Sequence, residues 1–410
     1  MSTQHLYDVV LYGATGFVGR QTVAYFAAHP DVAASGLRWA LAGRNLVKLK
    51  SIQSSCPGAA GAGIVVAAAD DVPALEALAK SAGVVLSTAG PFALYGSALV
   101  AACVKHGTHY VDITGETPWV SGLIAQHHDQ AAQDGTRIVP FCGFDSVPSD
   151  IGSWLMTRAM LARHQTPCVD VKAAFSMRGG FNGGTLASVL NILGSPDAQL
   201  VKDPFLLNPK GQHPQPTGHC DPLLPGYDAD FKAWLGPFFM GLINTRVVRR
   251  SAALLAYHSD FHYQEYLRVG SGPVAGVSAT SLGVGTAFGM TVGAAALGFS
   301  PVRRLAAALM PKPGEGPSQA SMNTGSFACE LVGKSSAGQV LRGRIQDQGD
   351  PGNRATTKMV CEAALCLALN ADQLPGCSSY GGVLTPASAL GDVLVDRLRS
   401  AGMTLVVDPV

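Results

Sequence analysis

The chain has 410 residues, a formal net charge of +1, 14% charged and 47% hydrophobic residues. That length exceeds one compact core and suits two domains, and the balanced charge lacks the cationic excess that binding nucleic acid requires. Nine cysteines without a C-x-x-C pair argue against a disulfide framework or a metal site, and no basic and apolar leader opens the chain, so a cytoplasmic protein without metal is expected.

The first third alternates short apolar runs with helical stretches. DVVLY (8–12), RWALA (38–42), GIVVAAA (63–69), GVVLST (83–88), THYVDI (108–113) and RIVPFC (137–142) read as six strands, with RQTVAYFAAH as the helix after the first. Their apolar character is continuous rather than alternating, as strands covered on both faces require. The fold class is therefore α/β, with a Rossmann-type doubly wound parallel sheet over residues 1–148.

From 149 the texture changes. SDIGSWLMTRAML predicts a connecting helix capped by Ser149 and Asp150. VDVKAAFSM, FHYQEYLRV and QVLRGRIQD alternate in part, as an antiparallel sheet with one covered face does. They place a second, α+β domain at 149–350, expected to carry substrate contacts or a homodimer interface. Residues 207–236 and 311–318, rich in proline and glycine, read as surface loops. The segment 269–302 holds no charge, and GVGTAFGMTVGAAALGF within it is long enough for a membrane span. Gly285, Gly289 and Gly293 recur there at the four-residue spacing of close helix contacts in lipid. Its many small polar residues favour a buried helix or a peripheral membrane contact instead. A C-terminal segment, 351–410, opens with the helical periodicity of ATTKMVCEAALCLALN.

GATGFVG puts Gly13, Gly16 and Gly19 at G-x-x-G-x-x-G spacing between a strand and a helix. Such a turn, with Thr15, Phe17 and Val18 between the glycines, lets backbone N–H groups approach a pyrophosphate at the helix N-terminus. The second strand ends in LAGRN, with no carboxylate for a ribose 2′-hydroxyl. Arg44 suits a 2′-phosphate, with Asn45 beside it and Lys48 one turn on, so NADP(H) is favoured over NAD(H). Thr88, Ala89, Gly90 and Pro91 follow the fourth strand and belong to the same ligand edge. Asp70, after the third strand, contacts adenine or caps the next helix. His127 and His128 show no metal spacing and read as a solvated helix face.

With GATGFVG, LAGRN, STAGPFALYGSALVAAC, HGTHYVDITGE and CGFDSVPSD in order, the chain resembles the saccharopine dehydrogenase-like oxidoreductases. RGGFNGGTLAS, INTRVVRRS, PGEGPS, GDPGNRATTKMVCEA and GGVLTPASALG extend the resemblance over nearly the whole chain, and it is strongest to the branch of the trans-acting enoyl reductases. The resemblance implies an NADP-binding Rossmann domain, a second α+β domain interrupting it, and a C-terminal segment that returns to pack on the first. It also implies hydride transfer to an enoyl thioester of a lipid or polyketide, as a small molecule or on a carrier. Val18 and Asn353 stand where many relatives have threonine and tyrosine, and Asn353 bears on the substrate side.

Reducing such a thioester needs a hydrogen-bond donor at the carbonyl oxygen and a proton for the α carbon. Tyr95, seven residues after Thr88, suits either role, or packs as a plain aromatic residue. Asp112, Thr114, Glu116, Asp145 and Ser146 fall at the ends of the fifth and sixth strands, where substrate-side groups or loop staples sit. Arg178, at the head of RGGFNGGT, is a candidate anion grip. Two alternatives remain: a reductase of an imine or ketone, and a nucleotide-binding, membrane-associated protein without turnover. The Y-x-x-x-K pair of short-chain dehydrogenases is missing from YGSAL and YVDIT.

Overall fold

The computed structural model describes residues 5–179, 196–212, 218–272 and 315–409. The six apolar runs form β1 (Tyr7–Tyr12), β2 (Trp39–Gly43), β3 (Gly63–Val66), β4 (Ala82–Ser87), β5 (His109–Asp112) and β6 (Arg137–Val139). Every residue of β2 and the last four of β1 are buried, so both pleat faces are covered and alternation has no place in these strands. Together with the short β13 (Gly382–Val383) they make a parallel sheet of order β3-β2-β1-β4-β5-β6-β13. The strand order reverses between β1 and β4, which opens a crevice at their carboxyl ends.

Helices α1 (Phe17–Ala28), α2 (Pro30–Ala34), α3 (Leu46–Ser55), α4 (Val72–Ser81), α5 (Phe92–Tyr95), α6 (Ser97–His106) and α7 (Thr117–Gln133) fill the connections between strands. Next, α8 (Val147–His164) carries the chain out of this sheet and packs across β7 (Cys168–Arg178), β11 (Ser326–Ser335) and β12 (Val340–Gln348). These strands join β8 (Gly226–Asp228), β9 (Ala233–Pro237), β10 (His262–Gly270) and β14 (Thr404–Pro409) in a second sheet, of order β8-β9-β10-β7-β11-β12-β14. Among the described residues, the remaining α-helices are α9 (Gly241–Leu254), α10 (Gln319–Thr324), α11 (Thr356–Leu369) and α12 (Pro386–Ser400). Helix α11 packs on α1, β4 and β5, while α12 bridges α11 and α8. One core therefore runs from Val9, Leu11 and Val84 through Met359 and Leu390 to Phe175, Leu331 and Ile345. At its waist the Phe144 ring stands 4.8 Å from Phe327 and 6.0 Å from Phe175. Burying one such ring contributes about 1.5–3 kcal/mol.

Three expectations need correction. The second sheet is mixed rather than antiparallel, because β7 and β10 run parallel. Residues 207–236 are not all loop: they hold β8 and most of β9, whose Ala233 and Leu235 pack with Phe231, Ala174 and Val332. Ser149 and Asp150 do not cap α8, which starts two residues earlier behind Ser146 with a proline in its first turn. Buried Asp150 instead accepts from Ser251 Oγ at 2.5 Å and from the Ala387 N–H at 2.8 Å, and so tethers α8 to α9 and to the start of α12. The apolar segment expected at 269–302 lies, beyond Gly272, outside the described residues, and among those described no helix is long and apolar enough to cross a membrane.

Candidate nucleotide and substrate cleft

The three glycines of the first turn are glycines for different reasons. Gly13 has φ +84°, and a Cβ there would lie 2.9 Å from the Ala89 nitrogen and 3.0 Å from Thr88 Oγ1. The β1 and β4 loops touch at this point, and Thr88 Oγ1 donates to the carbonyls of Tyr12 and Gly13, both at 3.3 Å. A Cβ on Gly19 would fall 2.1 Å from the Gly13 carbonyl oxygen, so α1 can close on the turn only without a side chain. Gly16, at the N-cap position of α1, meets nothing nearer than 3.3 Å, and its φ of −71° suits any residue. Its protein surroundings therefore constrain it less than those of Gly13 and Gly19, with the Gly13 carbonyl as the one close contact. Among the described residues no side chain caps α1, and no acidic residue occupies its first turn, which leaves the positive end of the helix open to an anion.

Around this turn, Thr15 accepts from Arg20 Nη1 through its carbonyl at 3.1 Å, Val18 is buried, and the Phe17 ring lies under Gly316. Arg44 is exposed at the end of β2, and both it and Asp70 act on the phenol of Tyr12, whose pKa is raised chiefly by burial. Asn45 caps α3 by accepting from the Lys48 N–H at 3.0 Å, and the Lys48 side chain is exposed. The cap of α4 is Asp71, which accepts from Ala74 N–H at 3.1 Å, so the exposed Asp70 is not engaged as that cap.

After β4, half-buried Thr88, Ala89, Gly90 and Pro91 lead into α5, with a cis bond before Pro91. Buried Glu116 reaches this loop and accepts from the N–H groups of Phe92 at 2.7 Å and Ala93 at 3.0 Å, which makes it the anchor of α5. Tyr95 ends that helix, 44% exposed. Asp112 is also a staple: it accepts from Tyr110 Oη at 2.9 Å, Thr114 N–H at 3.0 Å and Phe141 N–H at 3.2 Å. Burial raises its carboxyl to about 7.

Asp145 differs. The residue is half-buried, desolvation alone pushes its carboxyl up to about 7, and among the described residues it accepts no hydrogen bond. Its Oδ2 faces Gly115, 3.5 Å from where a Cβ would stand, and Ile243 Cδ1 lies on the same side of that glycine, 3.0 Å from the same point. Since Gly115 adjoins Glu116, the unpartnered carboxyl sits next to the segment that anchors the β4 loop. Behind it, buried Ser146 Oγ donates to Asn244 Oδ1 at 3.2 Å, and Asn244 Nδ2 to Glu265 Oε1 at 2.8 Å. Glu265 Oε2 also accepts from Ser149 Oγ at 2.7 Å and Tyr263 Oη at 2.8 Å, and burial lifts its carboxyl to about 7.

The sequence reading passed over Asn244 and Glu265. The signal was there for Glu265, which shares the inward phase of the alternating run HYQEYLRV with Tyr263. His128 is not on a solvated face, because its Nδ1 accepts from Val383 N–H at 3.2 Å and holds β13. Arg178 is exposed at the end of β7, and 180–185 of the motif it opens lie outside the described residues. Asn353 is buried and donates from Nδ2 to Asp350. Among the described residues, no group of three or more His, Cys, Asp or Glu could hold a metal ion.

The saccharopine dehydrogenase NADP binding domain matches residues 9–139. A protein of Mycobacterium tuberculosis H37Rv, named provisionally as a trans-acting enoyl reductase, is 39% identical over 98% of both chains. The trans-acting enoyl reductase of Mycobacterium leprae is 36% identical over 97% of both. The apo saccharopine dehydrogenase (L-Glu forming) of Saccharomyces cerevisiae shares the fold, with a TM-score of 0.53 over 98% of this chain and all of that one, at 12% identity. Identity at this level along nearly the whole length, joined to the crevice and glycine turn, settles the assignment: the chain belongs to the saccharopine dehydrogenase-like NADP(H)-dependent oxidoreductases, in the family of the trans-acting enoyl reductases.

Proposed function

We propose that the protein reduces the carbon–carbon double bond of an enoyl thioester, free or carrier-bound, belonging to a lipid or polyketide. NADPH, when bound, supplies the hydride. The chain's own part is to hold and orient. The N–H groups around Gly13, Thr15, Gly16, Phe17, Val18 and Gly19 meet the pyrophosphate, and Arg44 with Lys48 meets the 2′-phosphate. Asn45 keeps the start of α3 in place, and Asp70 lies toward the adenine side. Thr88, Ala89, Gly90 and Pro91 line the nicotinamide side.

The observation that carries the reading is Asp145, a carboxyl with no protein partner and a pKa raised to about 7 by burial. Such a group retains a proton near neutrality and can release it. Hydride addition at the β carbon leaves the electron pair of the former double bond on the α carbon and the thioester oxygen. Asp145 then gives its proton to the α carbon, which completes the addition of two hydrogens. Tyr95 donates a hydrogen bond to the oxygen, and Asp112, Glu116 and Ser146 hold the loops around the cleft. Arg178 would meet an anionic part of the carrier.

The test is NADPH oxidation by the purified chain with crotonyl-pantetheine, beside an imine and a ketone of similar size. Thioester-dependent oxidation with equimolar saturated product supports the reading. Turnover of the imine or ketone alone would replace it, and NADPH binding without any turnover would leave a nucleotide-binding protein.

A further inference from the structure

A cavity of about 510 Å³ opens in the second domain, and none of its lining residues belongs to the loops after β1 to β6. One wall is the face of α9 bearing Arg249, Ala252 and Ala253, at i, i+3 and i+4. Phe205, Asn208 and Phe261 stand across from it. The volume falls in the range of small-molecule sites, and the walls are mixed, with Gln212, His258 and Ser259 joining Arg249 and Asn208 beside the aromatic and alanine surfaces.

Arg249 is the unusual member. It is 2% exposed and spends its two terminal nitrogens on backbone carbonyls, those of Pro204 at 3.1 Å and Tyr263 at 3.3 Å. Its Nε has no hydrogen-bond partner, and among the described residues Arg249 makes no ion pair. Arg246, one turn earlier, is by contrast paired with Asp221. Burial lowers the Arg249 pKa only to about 10, so the guanidinium remains cationic at neutral pH. The charges of Asp221 and Glu265 favour this cation from beyond ion-pair distance, but a buried cation with no carboxylate in contact is costly, and an anion at contact relieves it. On the same cavity, Asn208 Oδ1 is a buried acceptor with no donor, while its Nδ2 is used on the Gln212 carbonyl at 3.2 Å. The Phe205 ring, 5.7 Å from the Arg249 guanidinium, adds an aromatic surface.

We propose that this cavity is a second ligand site, separate from the cofactor crevice, for a small carboxylate that carries an aromatic or other apolar body and a hydroxyl or amino donor. The carboxylate meets Arg249, the donor meets Asn208, and the apolar body packs between Phe205, Phe261 and the two alanines.

The test is calorimetric titration of the full chain with 4-hydroxybenzoate, with benzyl alcohol as the uncharged analogue and inorganic phosphate as the bare anion. 4-Hydroxybenzoate is expected to bind at least tenfold more tightly than either. Ala253→Phe, which fills the cavity without touching the bonds of Arg249, is expected to abolish that binding and leave NADPH binding intact. Arg249→Gln is expected to weaken it at least tenfold. Absence of 4-hydroxybenzoate binding, equal binding of benzyl alcohol or phosphate, or undiminished binding to Ala253→Phe would overturn the proposal. NADPH affinity is read in the same samples, so failure here is separate from failure of the reductase reading.

Discussion

Asp112 and Asp145 both follow short apolar strands, and burial raises both carboxyls to about 7. Three donors occupy Asp112, whereas Asp145 has none, and that difference assigns structure to one and proton transfer to the other. A proton donor acts in its protonated form, so kcat should decline as pH rises through about 7. Asp145→Asn should abolish that limb and lower kcat by about 10²–10⁴-fold while NADPH affinity holds, as stopped-flow and equilibrium titration would report. The same substitution removes a carboxyl whose ionised form is disfavoured in the fold. It should therefore stabilise the protein at pH 8, by roughly 1 kcal/mol in denaturant titration, as changes at strained sites often do. At the far side of the crevice, Arg44→Ala should weaken NADPH about tenfold or more and leave NADH unchanged. A charged hydrogen bond contributes about 1.5–3 kcal/mol and tenfold is about 1.4 kcal/mol.

At the level of elements, the glycine turn separates ligand demand from fold demand. Gly16→Ala adds a methyl where only the Gly13 carbonyl stands near, at 3.3 Å, so NADPH binding should fall while the melting temperature holds. Gly19→Ala drives a Cβ to 2.1 Å from that carbonyl and should lower both. Thermal unfolding with and without NADPH distinguishes the two. The turn and the parallel strands were legible because each rests on local chemistry: spacing of glycines and continuous apolar runs. β8 and β9 were not legible, since strands of three and five residues amid prolines and glycines carry too little pattern. Nor was the parallel β7–β10 pairing, because alternation shows which face is buried but not the direction of the neighbour. For the site, sequence could list the carboxylates at strand ends but not rank them. The ranking depends on hydrogen-bond partners, some of them distant in sequence: Phe141 lies 29 residues from Asp112, and Ala387 lies 237 from Asp150.

Across the whole molecule, the two sheets share a core rather than a linker. Glu362 on α11 is the clearest joint: Tyr25 Oη donates to it at 2.5 Å, His29 Nε2 lies at 2.9 Å and Arg397 Nε at 2.7 Å. It is 1% exposed, so Glu362→Ala would remove the buried partner of Arg397, which keeps Asp31 at 3.0 Å, and should cost about 1.5–3 kcal/mol. Because α11 and α12 touch both halves, NADPH binding and tryptophan fluorescence should be lost in one coincident denaturation transition.

The late position of α11 in the chain matters before the protein is ever folded. During synthesis the strands of the first sheet emerge early, but the apolar surface over β4 and β5 waits for residues 356–369 to cover it. The strands around the glycine turn are thus encoded at the start of the message and their cover near its end. Nascent chains should depend on a holdase through most of translation, and a slow codon stretch after residue 150 would prolong that exposure rather than help the first domain to fold alone.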